Sequence, residues 1–234
     1  MNETSNRLKR IVDEYTSVVK IIDHDAEEQT ERSYGGVVRT VKGQLQEYIT
    51  NELIHIAWKS IGGDEKRLCI NKKKIPIPIV KEYIDRIEND EVKQFIYSHV
   101  NDYVYNLSVD KHVYIDNQFV IGIECKAYTE NAMIKRILVD FHLLKTIYPE
   151  LSCWLFQLES QLGGDYSELI KNEKGSKPTH TLLSYFDNVD LNIVTLLKGE
   201  RNIEEPIHKV FKPLRKDRLK YAVDLLSNDL KRFL

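Results

Sequence analysis

Cysteine is scarce in this sequence, which contains Cys69, Cys125 and Cys153 and no others. The number is odd, and no two of them have the Cys-x-x-Cys spacing of zinc sites and redox motifs. The composition therefore supports neither a disulfide framework nor a zinc site. We expect the three cysteines to be reduced residues of the core.

Long apolar runs are also missing. No stretch approaches the roughly 18 residues that cross a bilayer, and Met1–Arg10 lacks the apolar segment of a signal peptide. We therefore expect a cytoplasmic protein. The net charge of -2 argues against a protein that binds every polyanion, but a local basic surface on a nearly neutral body can still contact DNA.

The 234 residues fit one domain, with an apolar fraction of 42% that allows a sizeable core. Apolar residues recur every three or four positions in Leu8–Ile22 and Val41–Ser60, which predicts two helices. A charged loop over Asp23–Arg32 and the pair Gly35-Gly36 are expected to separate them. Further helices are predicted for Val80–Val100, Asn131–Tyr148 and the C-terminus, and strands for Cys153–Leu158 and Leu191–Leu197. We expect an α/β fold with a central mixed sheet flanked by helices. Its parts are a helical region over about 1–105, an α/β core over about 106–200 and a helical region over about 201–234.

A β-hairpin is predicted in the middle of the chain. The β-like runs His112–Ile115 and Phe119–Tyr128 flank Asp116-Asn117-Gln118, which are residue types of tight turns. With a three-residue loop, Ile115 pairs with Phe119, and Asp110 lies opposite Glu124. Side chains alternate between the two faces of a strand. One face is then apolar and carries Val113, Ile115, Phe119, Ile121, Ile123 and Cys125. The other face is mixed and carries Asp110, His112, Tyr114, Val120, Gly122, Glu124, Lys126 and Tyr128, with Gly122 expected to leave open space beside the acids.

Two acids opposite each other on a sheet repel, because their Cβ atoms lie only about 4.5 to 5.5 Å apart. A divalent cation would compensate, since magnesium takes oxygen ligands from one or two carboxylates and keeps other positions for water and phosphate. Lys126 lies on the same face, where it could orient the attacking water or help to deprotonate it. The alternative is that Glu124 and Lys126 form an ordinary surface ion pair. A second Glu-x-Lys triplet, Glu91-Val92-Lys93, occurs in a charged helical stretch and lacks this strand context.

Asp110, a hydrophobic hairpin and then Glu124-Cys125-Lys126 resemble the PD-(D/E)XK nuclease superfamily, to which type II restriction endonucleases belong. The resemblance covers about 43–158 and implies a restriction-endonuclease-like core. It implies that Asp110 and Glu124 are metal ligands, that the carbonyl of Cys125 is a further ligand and that Lys126 is the catalytic lysine. It also implies Mg²⁺ as the cofactor, with one or two ions. Val109 stands in place of the motif's proline, and the turn residue Asp116 is the alternative acid.

The superfamily often adds a glutamate from an early helix in a Gly-x-x-x-Glu setting. Gly43-Gln44-Leu45-Gln46-Glu47 resembles that element and makes Glu47 a candidate catalytic residue. Glu52 is the alternative on the same predicted helix, and a solvated surface role for Glu47 also stays open.

Several segments are candidates for contact with DNA. Lys72, Lys73 and Lys74 form a basic run before Ile75-Pro76-Ile77-Pro78, where the prolines favour an extended loop over a helix. A second predicted loop offers short hydrogen-bonding side chains, of which we assign Ser176, Lys177, Thr179 and His180 to DNA binding. A third basic run, Lys209–Lys220, fits phosphate contact and a charge-balanced helix face equally well.

The pattern as a whole predicts a type II restriction endonuclease that cuts both strands of a specific double-stranded DNA sequence. We expect a homodimer, because two-fold symmetry suits a palindromic site, and a cognate DNA methyltransferase as its partner in a restriction-modification system. The alternatives are a monomeric repair or nicking nuclease of the same superfamily and a non-catalytic DNA-binding protein with this fold.

Overall fold

The computed structural model describes residues 3–27, 34–164, 176–202, 204–205 and 209–234. The chain begins with two long helices, α1 (Glu3–Glu27) and α2 (Tyr34–Ser60). Both are longer than the apolar periodicity predicts. Residues 23–27, expected in a loop, complete α1, and Gly35-Gly36 lie inside α2 rather than before it. Residues 28–32 of the expected loop lie outside the described part. Gly62, with a φ of 86°, follows the end of α2 and donates its N–H to the Lys59 carbonyl, as glycine does in the left-handed conformation.

Strands and shorter helices make up the rest of the described chain. Strands β1 (Leu68–Asn71) and β2 (Ile75–Pro78) precede α3 (Lys81–Asp85), α4 (Asp90–Ser98) and β3 (Val104–Leu107). They are followed by β4 (Lys111–Ile115), β5 (Gln118–Glu130), α5 (Asn131–Ile147) and β6 (Ser152–Gln161). The chain ends with α6 (Lys177–Ser184), β7 (Asn192–Thr195) and α7 (Lys216–Leu230). Short 3-10 turns occupy Val100–Asp102 and Lys231–Phe233.

The central sheet is mixed, as predicted, with the strand order β1-β4-β5-β6-β7. The pairs β1·β4 and β4·β5 are antiparallel, whereas β5·β6 and β6·β7 are parallel. Strands β2 and β3 form a separate antiparallel ribbon. The expectation of a helical region up to about residue 105 is therefore wrong in part, because β1 belongs to the central sheet and β2 and the first half of β3 also fall within that region.

Two apolar layers sandwich the sheet. On one face, α1, α2 and α7 pack against inward side chains such as Val113, Ile121 and Ile123. On the other face, α5 and the β2·β3 ribbon cover a second core around Phe141 and Leu155. Burial of this apolar surface on both faces is the main stabilising term for the fold. No helix of the described residues is long and apolar enough to span a membrane.

Candidate active site

The β4–β5 hairpin brings Asp110 and Glu124 together, although its turn differs from the prediction. The loop has two residues, Asp116 and Asn117, with φ values of 49° and 64°, and Gln118 is already in β5, paired with Ile115. This is the backbone of a tight hairpin turn in which both central residues have positive φ. A β-bulge then shifts the register, so that Val113 pairs with Ile121 and Lys111 with Ile123. Continued by one residue, this register sets Asp110 opposite Glu124, as predicted.

The bulge corrects the expected faces near the turn. Val120 packs with Val113 and Ile121 against the α1–α2–α7 layer, whereas Phe119 points to the α5 side, where its ring stacks on His112 at 4.6 Å. The space beside Gly122 is also filled rather than open. A Cβ atom at that position would lie 2.9 Å from Cε1 of Phe141.

Asp110 lies one residue before β4 and is held from three directions. Its Oδ2 accepts the backbone N–H of Cys125 at 2.9 Å and the Lys126 ammonium at 3.0 Å, and its Oδ1 accepts the Lys72 ammonium at 2.7 Å. Burial disfavours the charged carboxylate, but Lys126, Lys72 and the Cys125 N–H outweigh burial and lower the pKa of Asp110 to about 2. Asp110 is therefore ionised at neutral pH.

Glu124 lies deeper, with 7% of its surface exposed. Burial, opposed by Lys126 and assisted by Asp110, raises the pKa of Glu124 to about 7. The pKa values of the two acids are thus shifted in opposite directions. Such a separation is common for paired carboxylates in active sites, and a divalent cation would favour the ionised form of both.

Lys126 joins the two acids. Its Nζ donates to Oε2 of Glu124 and to Oδ2 of Asp110. Burial disfavours its charge, but Glu124 and Asp110 together raise the pKa of Lys126 above its usual value. The side chain is an ammonium group that reaches both carboxylates from the face of β5 that it shares with Glu124.

Glu47 reaches the same cluster from α2. Its carboxylate lies 3.2 Å from Nζ of Lys111 and 3.7 Å from Nζ of Lys72, the lysine that also binds Asp110. Glu52, the alternative, instead pairs with Arg7 of α1 at 3.0 Å. Of the two glutamates considered on this helix, Glu47 is the one beside the acids. The pairing of Lys111 with Glu47 was not anticipated from the sequence.

A cavity of about 410 Å³ opens over the two acids and Lys126. Its walls come from the β3–β4 segment and from α5, and they include Tyr105, Asn106, Leu107, Ser108, Met133, Arg136, Ile137 and Asp140. Sequence reasoning missed this wall. The signal was present, because the α5 residues at 133, 136, 137 and 140 are three or four positions apart and so share one helix face.

The donor atoms suit a hard cation. In the described ranges, no three His, Cys, Asp or Glu side chains are grouped closely enough to hold a metal among themselves. Two carboxylates that share a lysine, beside a water-accessible cavity, match magnesium, which uses one or two carboxylates and completes its coordination with water and phosphate. The sulfur of Cys125 is not part of this set, since it is buried and donates to Thr50 on α2 at 3.5 Å.

The other candidate acids and triplets lie elsewhere. Asp116 sits in the turn and forms an ion pair with Arg67 at 2.7 Å, so it is not the acid opposite Glu124. Glu91-Val92-Lys93 lies on α4, outside the sheet, as predicted for the triplet without strand context.

Comparison with known proteins gives the family. No protein-family model matches the chain. The chain is, however, 54% identical over 233 residues to the type II restriction enzyme DdeI of Desulfomicrobium norvegicum, and the match covers 97% of each chain. The chain belongs to the type II restriction enzymes. The predicted nuclease superfamily, fold class and enzyme class are thereby confirmed.

As a type II restriction enzyme, the protein is a site-specific deoxyribonuclease that acts on double-stranded DNA. Enzymes of this type generally depend on a divalent metal. The site described above has the oxygen donors that such a metal needs.

Among the residues assigned to DNA contact in this restriction enzyme, Lys72, Lys73 and Lys74 are exposed, in the turn between β1 and β2. Ser176, Lys177 and His180 lie at the start of α6, a helix where a loop was expected. Ser176 is its N-cap and accepts the N–H of Thr179.

Thr179 itself is buried, so its assignment to DNA contact is wrong. Its hydroxyl lies 2.6 Å from Oδ1 of Asn131 and 3.0 Å from the carbonyl of Leu162. It fastens α6 to the start of α5 and to the residue that follows β6, and it cannot reach DNA from there.

Three of the six basic residues in the run of the C-terminal part pair with acids. Lys212 pairs with Glu159 at 3.0 Å, and Lys220 with Asp224 at 3.7 Å. Arg215 pairs with Asp217 at 2.5 Å. These pairs favour a charge-balanced surface over a phosphate-binding one.

Proposed function

We propose that this restriction enzyme hydrolyses the DNA backbone with Mg²⁺, and that Asp110, Glu124 and Lys126 form its catalytic centre. The observation that carries the proposal is the contact of one ammonium group with both carboxylates, on strands that meet across a hairpin. A surface ion pair would not bury Glu124 to 7% exposure beneath a cavity.

Asp110 and Glu124 would hold the cation, with the backbone carbonyl of Cys125 as a third ligand. The N–H of Cys125 points to Asp110, and in an extended strand the N–H and C=O groups of one residue project to the same edge. This edge is free of a strand partner at that point, because β4 begins only at Lys111. When bound, the cation would stabilise charge on the phosphate and acidify a water molecule. One or two ions would fit this donor set.

Lys126 would act as a charged donor. Its raised pKa means that it carries a proton at neutral pH, which favours orienting the attacking water and stabilising negative charge on the phosphate over removing a proton from water. Glu47 would support the site from α2 by fixing Lys111 and by facing Lys72.

Cleavage of a plasmid in the presence of Mg²⁺ tests the catalytic assignment. We expect Glu124→Ala and Lys126→Ala to lose at least about 100-fold in rate, which is the effect of removing one donor to the charge that develops in a transition state. The control variant Glu91→Ala removes the same charge from the triplet on α4 and should cut like the parent. If the Glu124 and Lys126 variants cut as fast as Glu91→Ala, the assignment is wrong.

The basic turn and the start of α6 would contact DNA. Lys73 and Lys74 are exposed beside Lys72, which reaches the acids, and the N-cap Ser176 is held near the end of β5 by Asn131 at 3.3 Å. Lys177 and His180 are exposed on the same short helix. Both segments therefore lie close to the catalytic strands. Neutralising Lys73 and Lys74 together should weaken binding to all sequences and reduce its salt dependence.

We further propose a cytoplasmic homodimer that works with a cognate DNA methyltransferase. A two-fold enzyme fits a palindromic site and cuts both strands in one encounter. Sedimentation of the free enzyme would reveal a monomer if the alternative, a monomeric nicking enzyme, is right, and sequencing of the cut ends would then find single-strand nicks.

A further inference from the structure

The two oxygens of Asp110 have different partners. Oδ2 is occupied by the Cys125 N–H at 2.9 Å and by Lys126 at 3.0 Å. Two donors fill the lone pairs of one carboxylate oxygen. Oδ1 accepts the Lys72 ammonium at 2.7 Å. A metal that takes Asp110 as a ligand must therefore approach Oδ1, where Lys72 already lies.

An ammonium group and a divalent cation repel each other when both contact the same oxygen. Both carry positive charge and would lie within a few ångströms of each other, at a site where partial burial reduces screening by water. Without the metal, acids and ammonium groups are balanced in number at this site. The acids are Glu47, Asp110 and Glu124, and the ammonium groups that they face belong to Lys72, Lys111 and Lys126. Entry of a divalent cation leaves positive charge in excess.

Lys72 is the lysine best able to leave. Half of its side chain is exposed, against 18% for Lys111 and 31% for Lys126. Lys111 and Lys126 stand on strands of the central sheet, whereas Lys72 follows β1 in the short turn that leads to β2. A change of side-chain rotamers would move its ammonium group away from Asp110 without disturbing the sheet.

We propose that Lys72 is a resting counter-ion of Asp110, which the catalytic cation displaces and which then binds a phosphate of the DNA. The proposal rests on the proposed metal site. It gives Lys72 a role that its neighbours Lys73 and Lys74 lack, since neither of these two pairs with an acid among the described residues. The proposal also couples the binding of the cation to the binding of DNA, because the cation frees the Lys72 ammonium group that then contacts a DNA phosphate.

Titration calorimetry with Ca²⁺ and no DNA tests the first half. Ca²⁺ takes the same oxygen ligands as Mg²⁺. The variant Lys72→Met should bind Ca²⁺ about fivefold more tightly than Lys73→Met, which corresponds to one partly exposed ion pair that no longer has to be broken. Both variants lose one positive charge from the same turn, so the general electrostatic effect is matched. Equal affinities, or weaker binding by Lys72→Met, would overturn the proposal.

The second half of the proposal is the transfer of Lys72 to a DNA phosphate. It is tested by the gain in DNA affinity that Ca²⁺ produces, which is measured by fluorescence anisotropy on a duplex that carries one cleavage site of the parent enzyme. This gain should be several-fold smaller in Lys72→Met than in Lys73→Met, because only Lys72 is released by the cation, and coupling between two ligands is reciprocal. An equal gain in the two variants would refute the transfer of Lys72 to phosphate.

A third variant separates failure of this inference from failure of the metal site. Asp110→Asn should abolish the Ca²⁺ binding that the parent enzyme shows. If Asp110→Asn binds Ca²⁺ like the parent, the metal site itself is wrongly assigned. If it does not, and Lys72→Met still equals Lys73→Met, only the role of Lys72 is refuted.

Discussion

Replacement of Gly122 by alanine probes the packing beneath the acids. Gly122 lies in β5 two residues before Glu124, and its missing side chain faces α5. An added Cβ would lie 2.9 Å from Cε1 of Phe141, and 3.5 Å from Cζ of Phe119 and from Cγ2 of Val109. Carbon atoms prefer a separation of about 3.5 to 4.0 Å, and Phe141 is fully buried. The ring must therefore shift against its neighbours in the core, which are close-packed in proteins generally.

The size of the effect follows from two opposed contributions. Forcing a methyl group into a packed core costs about 1 to 3 kcal/mol. The more restricted unfolded chain of the alanine variant recovers about 0.4 to 1 kcal/mol. We expect a net loss of up to about 2.6 kcal/mol in the free energy of unfolding. For a domain of this size each kcal/mol lowers the melting temperature by about 2 to 4 °C.

Gly43→Ala is the matched control. Gly43 lies inside α2, and a Cβ there would meet no atom within 4 Å. This variant should gain about 0.5 to 1 kcal/mol, because alanine is the better helix former. Thermal unfolding followed by circular dichroism should thus give shifts of opposite sign. If Gly122→Ala melts at or above Gly43→Ala, Phe141 does not limit the space beside Gly122. The double variant Gly122→Ala, Phe141→Leu should be less stable than the parent by less than the sum of the single losses.

Three further outcomes are expected. Glu47→Gln should slow cleavage at least about tenfold, as for residues that orient a metal site. Glu52→Gln, which loses its pairings with Arg7 and Arg10 of α1, should leave the rate unchanged. Burial, assisted by Lys72, lowers the pKa of His112 to about 4 from an ordinary value of 6.5. The neutral imidazole therefore stabilises the fold above pH 6.5, and this contribution of about 2 to 3 kcal/mol is lost as the pH falls towards 4. In urea unfolding, the variant His112→Gln should lose less stability over that pH interval than the parent, and an identical loss would contradict the assignment. Thr179→Val should destabilise the protein by about 1 to 3 kcal/mol in the same urea assay, because the buried hydrogen-bond partners of the hydroxyl are left unsatisfied. The folded fraction of this variant should bind DNA with the affinity of the parent, unlike a variant of a residue that contacts DNA.

Apolar periodicity predicted the long elements because each buries one face against the sheet. It failed where packing outweighs local preference. Gly35-Gly36 indicated a break, yet they lie within α2, two residues before Val38, which is fully buried. A helical glycine costs only about 1 kcal/mol relative to alanine, and burial of apolar side chains nearby can offset that cost.

The strand β2 illustrates a contact that local sequence does not contain. Pro76 and Pro78 excluded a helix and suggested a loop, but Ile75 and Ile77 are buried and pair with Leu107 and Tyr105 of β3. Proline is tolerated in a two-stranded ribbon of this kind, because the position that lacks an N–H can face the side of the strand that has no neighbouring strand. The partner strand is about 30 residues away in the sequence, which no local pattern reveals.

For α6, the sequence signal was present and was misjudged. Ser176 at the N-cap and Pro178 in the first turn are both signs of a helix start. The helix has only eight residues, too few for a clear apolar period. Thr179 was consequently assigned to DNA when its hydroxyl is part of the internal hydrogen bonding of the helix start.

The choice between Glu47 and Glu52 depended on geometry that the sequence leaves open. Both glutamates lie on α2, and five residues turn a helix by about 140° beyond one full turn. The two carboxylates must therefore point to different sides, but only the packing of α2 decides which side faces the hairpin. Glu52 faces α1 and Arg7, and Glu47 faces Lys111 at the start of β4.

Asp110 lies opposite Glu124 as predicted, although the predicted hairpin is wrong in its loop length and in lacking a bulge. The effects of these two differences on the strand register cancel. The loop is one residue shorter than predicted, which alone would slip the pairing by one position and move every side chain to the other face. The bulge at Val120 inserts one extra residue into β5 and restores the register from Val113 onward. Only Phe119 and Val120, between the turn and the bulge, exchange faces. Because the apolar face of the hairpin must be buried, any turn that fits this sequence has to return Ile121, Ile123 and Cys125 to that face. The same constraint forces Glu124 and Lys126 onto the opposite face, beside Asp110.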